Sequence, residues 1–136
     1  MAEQKLNITL DSDYKSVDMV RAAIEGILLK LSRDHRSESL AEDFCMAATE
    51  AMNNAVEHSG SQAIKIELSV NKNEIILKMM TGGKRFDPTA KAEMPVFDKD
   101  ELPEGGFGLA MIHKLVDSMH YEYLNGMNVF TITKNF

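Results

Sequence analysis

The chain contains 136 residues, of which 44% are hydrophobic and 26% are charged, and its net charge is −6. This size and composition fit one soluble domain, spanning 1–136, with its own hydrophobic core. The negative charge argues against a nucleic-acid partner, and a polyphosphate would need a divalent cation or backbone amides to offset the repulsion. No apolar run approaches the roughly 18 residues of a membrane span, and MAEQKLNITL lacks a signal-peptide pattern, so we expect a cytoplasmic protein.

Common metal and catalytic motifs are absent from the sequence. The four histidines have no metal-ligand spacing, and no G-x-S-x-G pattern occurs. The single cysteine, Cys45, cannot form an intramolecular disulfide, which agrees with a reducing compartment. Its place in the helical pattern FCMAA predicts a buried, unreactive thiol.

The first half of the chain predicts one strand followed by two helices. KLNITL, at 5–10, alternates as a half-buried strand does. Apolar residues then recur at helical spacing over about 15–32, and the polar link SRDHRSES follows. Ser39 and Glu42 form a capping box that predicts the start of the second helix, and Ser59-Gly60 predicts its end.

The second half predicts two β-hairpins with a helix between them. The first hairpin joins AIKIELSV to IILKMM, and the second joins MHYEYL to MNVFTITK through Asn125-Gly126. Between the hairpins, GGFGLAMIHKLVD predicts a helix. The order β, α, α, ββ, α, ββ favours an α+β two-layer sandwich, with a mostly antiparallel sheet covered by helices on one face.

Residues 84–104 follow neither a helical nor a strand period. This segment contains all three prolines of the chain. A structureless run of about twenty residues is uncommon inside a compact domain. Glycines at both ends favour a hinged lid over a site, and a surface excursion without function is the alternative. The flanking glycines are Gly82, Gly83, Gly105, Gly106 and Gly108.

The second helix carries polar residues beside its apolar stripe, in EAMNNAVEHSG. At about 100° per residue from Ala51, Asn54 lies at about −60° and Glu50 at about −100°. Asn53, at about −160°, points away from the stripe, so we expect it to be solvated. A buried amide or carboxylate costs about 1–3 kcal/mol unless the fold or a ligand supplies a partner. Asparagine and glutamate together suit a hard cation that leaves positions for phosphate. His58, at the helix end, is interpreted as a structural residue.

EGGFGLAMI places Gly105, Gly106 and Gly108 at the start of a helix. Glycine lets the backbone approach a ligand closely, and a helix N-terminus directs free N–H groups outward, which favours an anion. Glycines also serve ordinary turns, so the cluster alone leaves both interpretations open. It is not a P-loop, because no G-x-x-x-x-G-K-[ST] occurs.

In chain order, E-x-x-x-N on a helix, GG-x-x-FDP after a strand, a lid and GGFGL resemble the ATP-binding boxes of the GHKL superfamily. The helix is most similar to E-A-x-x-N-A-x-x-H in the small anti-sigma factor serine/threonine kinases. FDP and the C-terminal pattern Y-x-x-x-x-G-x-N-x-x-T resemble the same family. The matching residues are Glu50, Ala51, Asn54, Ala55, His58, Phe86, Asp87, Pro88, Tyr121, Gly126, Asn128 and Thr131.

The resemblance implies the GHKL (Bergerat) ATPase fold and a kinase that uses ATP and Mg²⁺. Asn54 would coordinate Mg²⁺, and Glu50 would be the catalytic base toward a serine or threonine hydroxyl. The lid would close over the phosphates. The residues that contact the nucleotide would be Asn54, Thr81, Gly83, Gly105, Gly106 and Gly108.

The resemblance also implies protein partners. The family's substrate is an anti-anti-sigma factor, and the kinase also binds a sigma factor and withholds it from RNA polymerase. Phosphorylation of the antagonist frees the kinase to hold the sigma factor. Family members often dimerise, although the sequence reveals no dimer surface.

Thr81 departs from the family pattern. Members usually have aspartate at the head of this glycine box, where the carboxylate accepts a hydrogen bond from the adenine amino group. A hydroxyl in its place costs about 1–3 kcal/mol, or roughly five- to 150-fold in affinity. We therefore expect weakened ATP use, and the alternative is a non-catalytic protein-binding module of the same fold.

Overall fold

A computed structural model of the protein describes residues 3–31, 35–87 and 112–135. The predicted order of elements is confirmed for these residues, and residues 112–115 are helical where the third helix is expected. The predicted lid from Pro88 onward and the second glycine box lie outside the described residues. The elements are β1 (Gln4–Asp11), α1 (Tyr14–Leu31), α2 (His35–His58), β2 (Ala63–Val70), β3 (Glu74–Thr81), β4 (Ser118–Leu124) and β5 (Met127–Asn135).

The five strands form one sheet in the order β1-β2-β3-β5-β4, and each neighbouring pair is antiparallel. Both predicted hairpins are present. Asn125 and Gly126, with φ of 53° and 79°, form the turn between β4 and β5. Positive φ at both central residues fits the right-handed twist of a hairpin, and asparagine and glycine tolerate it best. The predicted α+β fold class is confirmed.

One face of the sheet forms the core with α1 and α2. Alternate residues of β3 point into it, namely Ile75, Leu77, Met79 and Thr81. The helix α2 lies against this face through small side chains, because Ala47, Ala48, Ala51 and Ala55 are all at most 1% exposed. Alanine lets a helix lie close to a sheet, and close packing adds dispersion contacts.

The helix α2 begins at His35, one turn before Ser39. The prediction that a capping box at Ser39 starts this helix is therefore wrong. Ser39 lies inside the helix instead, because a short polar stretch can continue a helix whose remaining turns are held by tertiary packing. The Cys45 thiol is buried as predicted, and burial raises its pKa to about 11.

Neither α1 nor α2 has the length and hydropathy of a membrane-spanning helix, and the same holds for every other helix in the described ranges.

Candidate functional site

Asn54 is the clearest candidate for ligand contact. Its Nδ2 atom is buried and has no hydrogen-bond partner among the described residues. An unpaired buried amide costs about 1–3 kcal/mol, and native structures contain few of them. Rotation of the amide by half a turn exchanges its nitrogen and oxygen, so the group can present either a donor or an acceptor to a ligand.

Asn53 is partly buried, so the expectation that it is solvated is wrong. The helix α2 contacts α1 as well as the sheet, so its buried surface is wider than its apolar stripe. Met52 is 0% exposed and Val56 is partly buried beside Asn53. Exposure therefore does not separate the two asparagines. The unpaired buried nitrogen does, since only Asn54 has one among the described residues.

Glu50 lies one helical turn before Asn54 and is partly buried. Its side chain lines an open groove of about 370 Å³ between α1 and α2, together with Arg21, Met46 and Thr49. Arg21 of α1, which lines the same groove, forms an ion pair with Glu25 at 3.2 Å. No hydrogen bond or ion pair to the Glu50 carboxylate occurs within 3–31, 35–87 and 112–135, so it is free to accept a proton from a group in the groove.

Thr81 ends β3 on the face that the helices cover and is 3% exposed. It lies between two neighbours in the sheet, opposite Ile64 of β2 and Asn128 of β5. A buried hydroxyl at a strand end can accept one hydrogen bond from a ligand.

Gly83 has a structural reason to be glycine. Its φ is 84°, and a Cβ at this position would lie 3.0 Å from the Ser59 carbonyl oxygen. The Lys84 N–H donates to the same oxygen at 3.3 Å. The turn after β3 therefore packs directly onto the end of α2, where a side chain at residue 83 would separate the two. Contact of Gly83 with a nucleotide stays a prediction.

His58 extends this junction between α2 and the turn. Its ring stacks on Phe86 of the FDP motif, with centroids 5.2 Å apart and planes at 30°. Stacked aromatic pairs of this geometry contribute about 0.5–1.5 kcal/mol. The packing is that of a structural residue, as interpreted from the sequence, and it holds FDP beside the helix that carries Asn54.

Asn128 is the residue whose role the sequence analysis missed. It is 3% exposed on β5 and hydrogen bonds to Tyr121, Phe86, Lys84 and Thr81. A signal was present, because Asn128 occupies an inward position in the alternation that Phe130 and Ile132 continue. A polar residue at an inward strand position needs partners.

Three of the six predicted nucleotide contacts lie outside the described residues. Gly105, Gly106 and Gly108 lie outside them, as do the lid lysines Lys91 and Lys99. Of the lid's basic residues, Lys84 and Arg85 are described, and both are exposed. The Arg85 guanidinium lies 5.9 Å from the Tyr123 ring centroid.

The donor set fits Mg²⁺ if phosphate and water complete its coordination. No group of three His, Cys, Asp or Glu side chains that could hold a metal occurs among residues 3–31, 35–87 and 112–135. That excludes an all-protein cage within those ranges. Mg²⁺ commonly takes one or two protein oxygens and obtains the others from substrate phosphates and water, and the amide oxygen of Asn54 is a suitable protein ligand.

Comparison with known proteins establishes the class of this protein. The sequence profile of the histidine kinase-like ATPase domain matches residues 10–134. The chain therefore belongs to the histidine kinase-like ATPase family, and the resemblance to the anti-sigma factor kinases of GHKL type is confirmed.

Individual relatives give the nearer context. The chain is 29% identical over 108 residues to the serine/threonine-protein kinase BtrW of Bordetella bronchiseptica, covering 76% of each chain. It is 27% identical over 137 residues to the serine-protein kinase RsbW of Staphylococcus aureus, covering 93% of this chain and 84% of that protein.

A solved structure agrees with the fold. The crystal structure of the RsbU and RsbW domains of Rv1364c from Mycobacterium tuberculosis superposes with a TM-score of 0.64 at 23% identity. The match covers 96% of this chain and 32% of that one, so this chain spans about a third of that protein.

Proposed function

We propose that the protein is an ATP- and Mg²⁺-dependent serine/threonine protein kinase that acts as an anti-sigma regulator. The family and the serine-protein kinase relatives support this class. The observation that carries the proposal is the unpaired, buried amide nitrogen of Asn54, because it marks the family's metal-ligand position as a group that lacks a partner.

Asn54 would hold the metal through its amide oxygen. Mg²⁺ supplies charge neutralisation for the ATP phosphates, which an acidic chain of net charge −6 otherwise repels. The protein's contribution is to hold the metal-ligating side chain of Asn54 in position. A side chain on a helix that packs against both the sheet and α1 has few alternative rotamers, which fixes the position of the amide group.

Glu50 would accept the proton of the substrate hydroxyl. The γ-phosphoryl group passes from ATP to the serine or threonine oxygen, the bond to ADP breaks, and the hydroxyl proton goes to the Glu50 carboxylate. The open groove between α1 and α2 supports this role, since a protein segment can reach the carboxylate from solvent.

Calorimetric titration with Mg·ATP tests the proposal. The wild type should bind, and Asn54→Ala should remove the Mg²⁺-dependent part of the affinity. Asn53→Ala is the matched control, because it deletes the same amide one position away on the same helix and should leave binding within about twofold. Absence of heat and of a thermal shift at millimolar ATP would refute nucleotide binding.

Phosphotransfer is tested separately from binding. Glu50→Gln keeps the shape of the side chain and removes its basicity, so ATP affinity should persist while phosphorylation of the acceptor falls by about 10²–10⁴-fold. Wild-type rates in this variant would remove Glu50 from the catalytic role.

A non-catalytic protein-binding module is the second candidate. Thr81 favours it, because a buried neutral hydroxyl replaces the carboxylate that family members usually direct at adenine. In that case the partner surface persists and Mg·ATP gives no signal in the same titration.

The protein partners would be an anti-anti-sigma factor and a sigma factor in the cytoplasm, as in the family. Mutually exclusive binding is the expected behaviour. A co-purification in which each partner displaces the other checks it, and simultaneous binding of both to one chain would contradict it.

We also propose that a second copy of the chain pairs along the edge of β1 that has no neighbouring strand among the described residues. An antiparallel pairing centred on Ile8 sets Lys5 opposite Asp11 and Leu6 opposite Leu10 of the partner copy. Lys5 and Asp11 are exposed, so both charge pairs are available. An open groove of about 370 Å³ lies beside the start of β1 and leaves room for side chains of the second copy. It is lined by Gln4, Ala22, Ala23, Gly26, Ile27 and Lys30.

A further inference from the structure

Asn128 is a buried amide on β5 that the proposed chemistry does not use. It faces the helix-covered side of the sheet, in line with Phe130 and Ile132, and is 3% exposed. An asparagine in this position loses its contact with water and must be paired inside the protein.

All four hydrogen bonds of the Asn128 side chain are made within the protein. Its Oδ1 accepts from the Phe86 N–H at 2.8 Å and from the Tyr121 hydroxyl at 2.5 Å. Its Nδ2 donates to the Lys84 carbonyl at 2.9 Å and to the Thr81 carbonyl at 3.5 Å. The pattern fixes the orientation of the amide, because a flipped group would set its NH₂ against an N–H and its oxygen against two carbonyls.

Three of these four partners belong to residues 81–86, which lead from the end of β3 toward the predicted lid. The β3 ladder stops at Thr81, so the backbone groups beyond it need other partners. Asn128 supplies them from β5. The opposite side of the segment is held by α2, through the Lys84 N–H to the Ser59 carbonyl and the stacking of Phe86 on His58.

We infer that Asn128 is a positioning residue for the adenine end of the nucleotide site. It fixes residues 81–86, and with them Thr81, at the position where the family contacts adenine. The inference rests on the proposed nucleotide binding. Tyr121 orients Asn128, because its hydroxyl occupies one side of the amide oxygen. The phosphate end, which depends on Asn54, does not depend on Asn128.

Asn128→Asp separates the hydrogen bonds that the side chain accepts from those that it donates. The carboxylate keeps the size of the side chain and can still accept from the Phe86 N–H and the Tyr121 hydroxyl. It cannot donate, so it faces the carbonyls of Thr81 and Lys84 with a negative charge. Tyr121→Phe is the milder variant, since it removes one hydrogen bond and leaves the three to residues 81–86.

Amide hydrogen exchange, followed by NMR without nucleotide, tests the positioning directly. In Asn128→Asp the Phe86 amide should exchange about tenfold or more faster, whereas the Leu77 amide in the middle of β3 should be unchanged. In Tyr121→Phe the acceleration should be about threefold. If Asn128→Asp does not fold, Tyr121→Phe decides. Wild-type protection of the Phe86 amide in a folded variant would overturn the inference.

Ligand titration tests the link to adenine. Asn128→Asp should weaken Mg·ATP by about tenfold or more and weaken Mg·tripolyphosphate by less than about threefold. Equal losses for both ligands would mean that Asn128 acts only on general stability and would overturn the positioning role. Failure of the wild type to bind Mg·ATP overturns the proposed function instead, and the exchange measurement still decides whether Asn128 holds the segment.

Discussion

At the scale of single residues, Asn54 and Asn128 are two asparagines that the fold treats in opposite ways. The amide of Asn128 has four protein hydrogen bonds, whereas the buried nitrogen of Asn54 has none among the described residues. The first arrangement stabilises the folded chain, whereas an unpaired buried nitrogen costs free energy. Burial alone therefore does not distinguish the two amides, and hydrogen-bond pairing does.

Thr81→Asp should tighten ATP by about five- to 150-fold, because a carboxylate makes a charge-assisted hydrogen bond to the adenine amino group. Calorimetry with Mg·ATP and Mg·GTP checks it. GTP should gain nothing, since guanine has an oxygen where adenine has the amino group. A variant with unchanged ATP affinity would mean that Thr81 is not at the adenine position.

Gly83→Ala should destabilise the protein by about 1–3 kcal/mol. The residue has φ of 84°, and the added methyl would meet the Ser59 carbonyl oxygen at 3.0 Å. Urea unfolding measures the change. Gly82→Ala is the matched control: its Cβ would find ordinary contacts at 3.7 Å and 3.9 Å and its φ is not positive, so a much smaller effect is expected. Equal effects at both positions would contradict the packing argument.

At the scale of elements, α1 begins where the apolar spacing predicted, whereas α2 begins a turn earlier than its capping pattern predicted. Ser39 and Glu42 match the capping-box sequence pattern, yet both lie inside α2, which begins at His35. The helix α1 begins with a cap that the apolar spacing did not reveal: the Asp13 carboxylate accepts from the Ser16 N–H at 2.7 Å. Local capping preferences are weak beside the packing of an apolar face, so boundaries shift by a turn while the helices themselves persist.

Asp13→Asn should change how thermal stability depends on pH. The Ser16 N–H holds the pKa of Asp13 below its ordinary value of 3.8. A lowered folded-state pKa contributes stability above 3.8 that is lost as the pH falls through the folded value. Asparagine caps a helix about as well but does not titrate. The Tm difference between wild type and variant should be constant above about pH 5 and change below about pH 4. Parallel Tm curves down to pH 2 would contradict this role.

At the scale of the whole molecule, the described sheet ends in two strands that each lack one neighbour, β1 and β4. An open strand edge presents unpaired N–H and carbonyl groups to any strand that can pair with it. The charges of β1 complement a second copy of the same strand. A pairing in which the same strand of each copy meets the other suits a symmetric dimer.

Charge exchange on β1 tests this dimer. Lys5→Glu and Asp11→Lys should each weaken dimerisation by about tenfold, because each places like charges opposite one another at two symmetric positions. The double variant restores opposite charges and should recover the affinity. Analytical ultracentrifugation measures all four proteins. A monomeric wild type, or single variants that dimerise as well as the wild type, would refute the β1 interface.

The sequence by itself determined the elements of this protein and the class to which it belongs. The alternation of apolar and polar residues predicted the strands β2, β3, β4 and β5, and Asn125-Gly126 predicted the turn between β4 and β5. These signals can be read from the sequence because they act between residues close in the chain. The polar flank of α2 and the glycine boxes pointed to a nucleotide site for the same reason.

Only the tertiary structure decided which polar groups have partners. The pairing of Asn128 with Phe86, 42 residues away, depends on β5 lying beside β3, which no local pattern specifies. The approach of Gly83 to Ser59 likewise depends on how α2 rests on the sheet. Hydrogen bonding acts over about 3 Å, so its outcome is set by the packing that brings distant residues together.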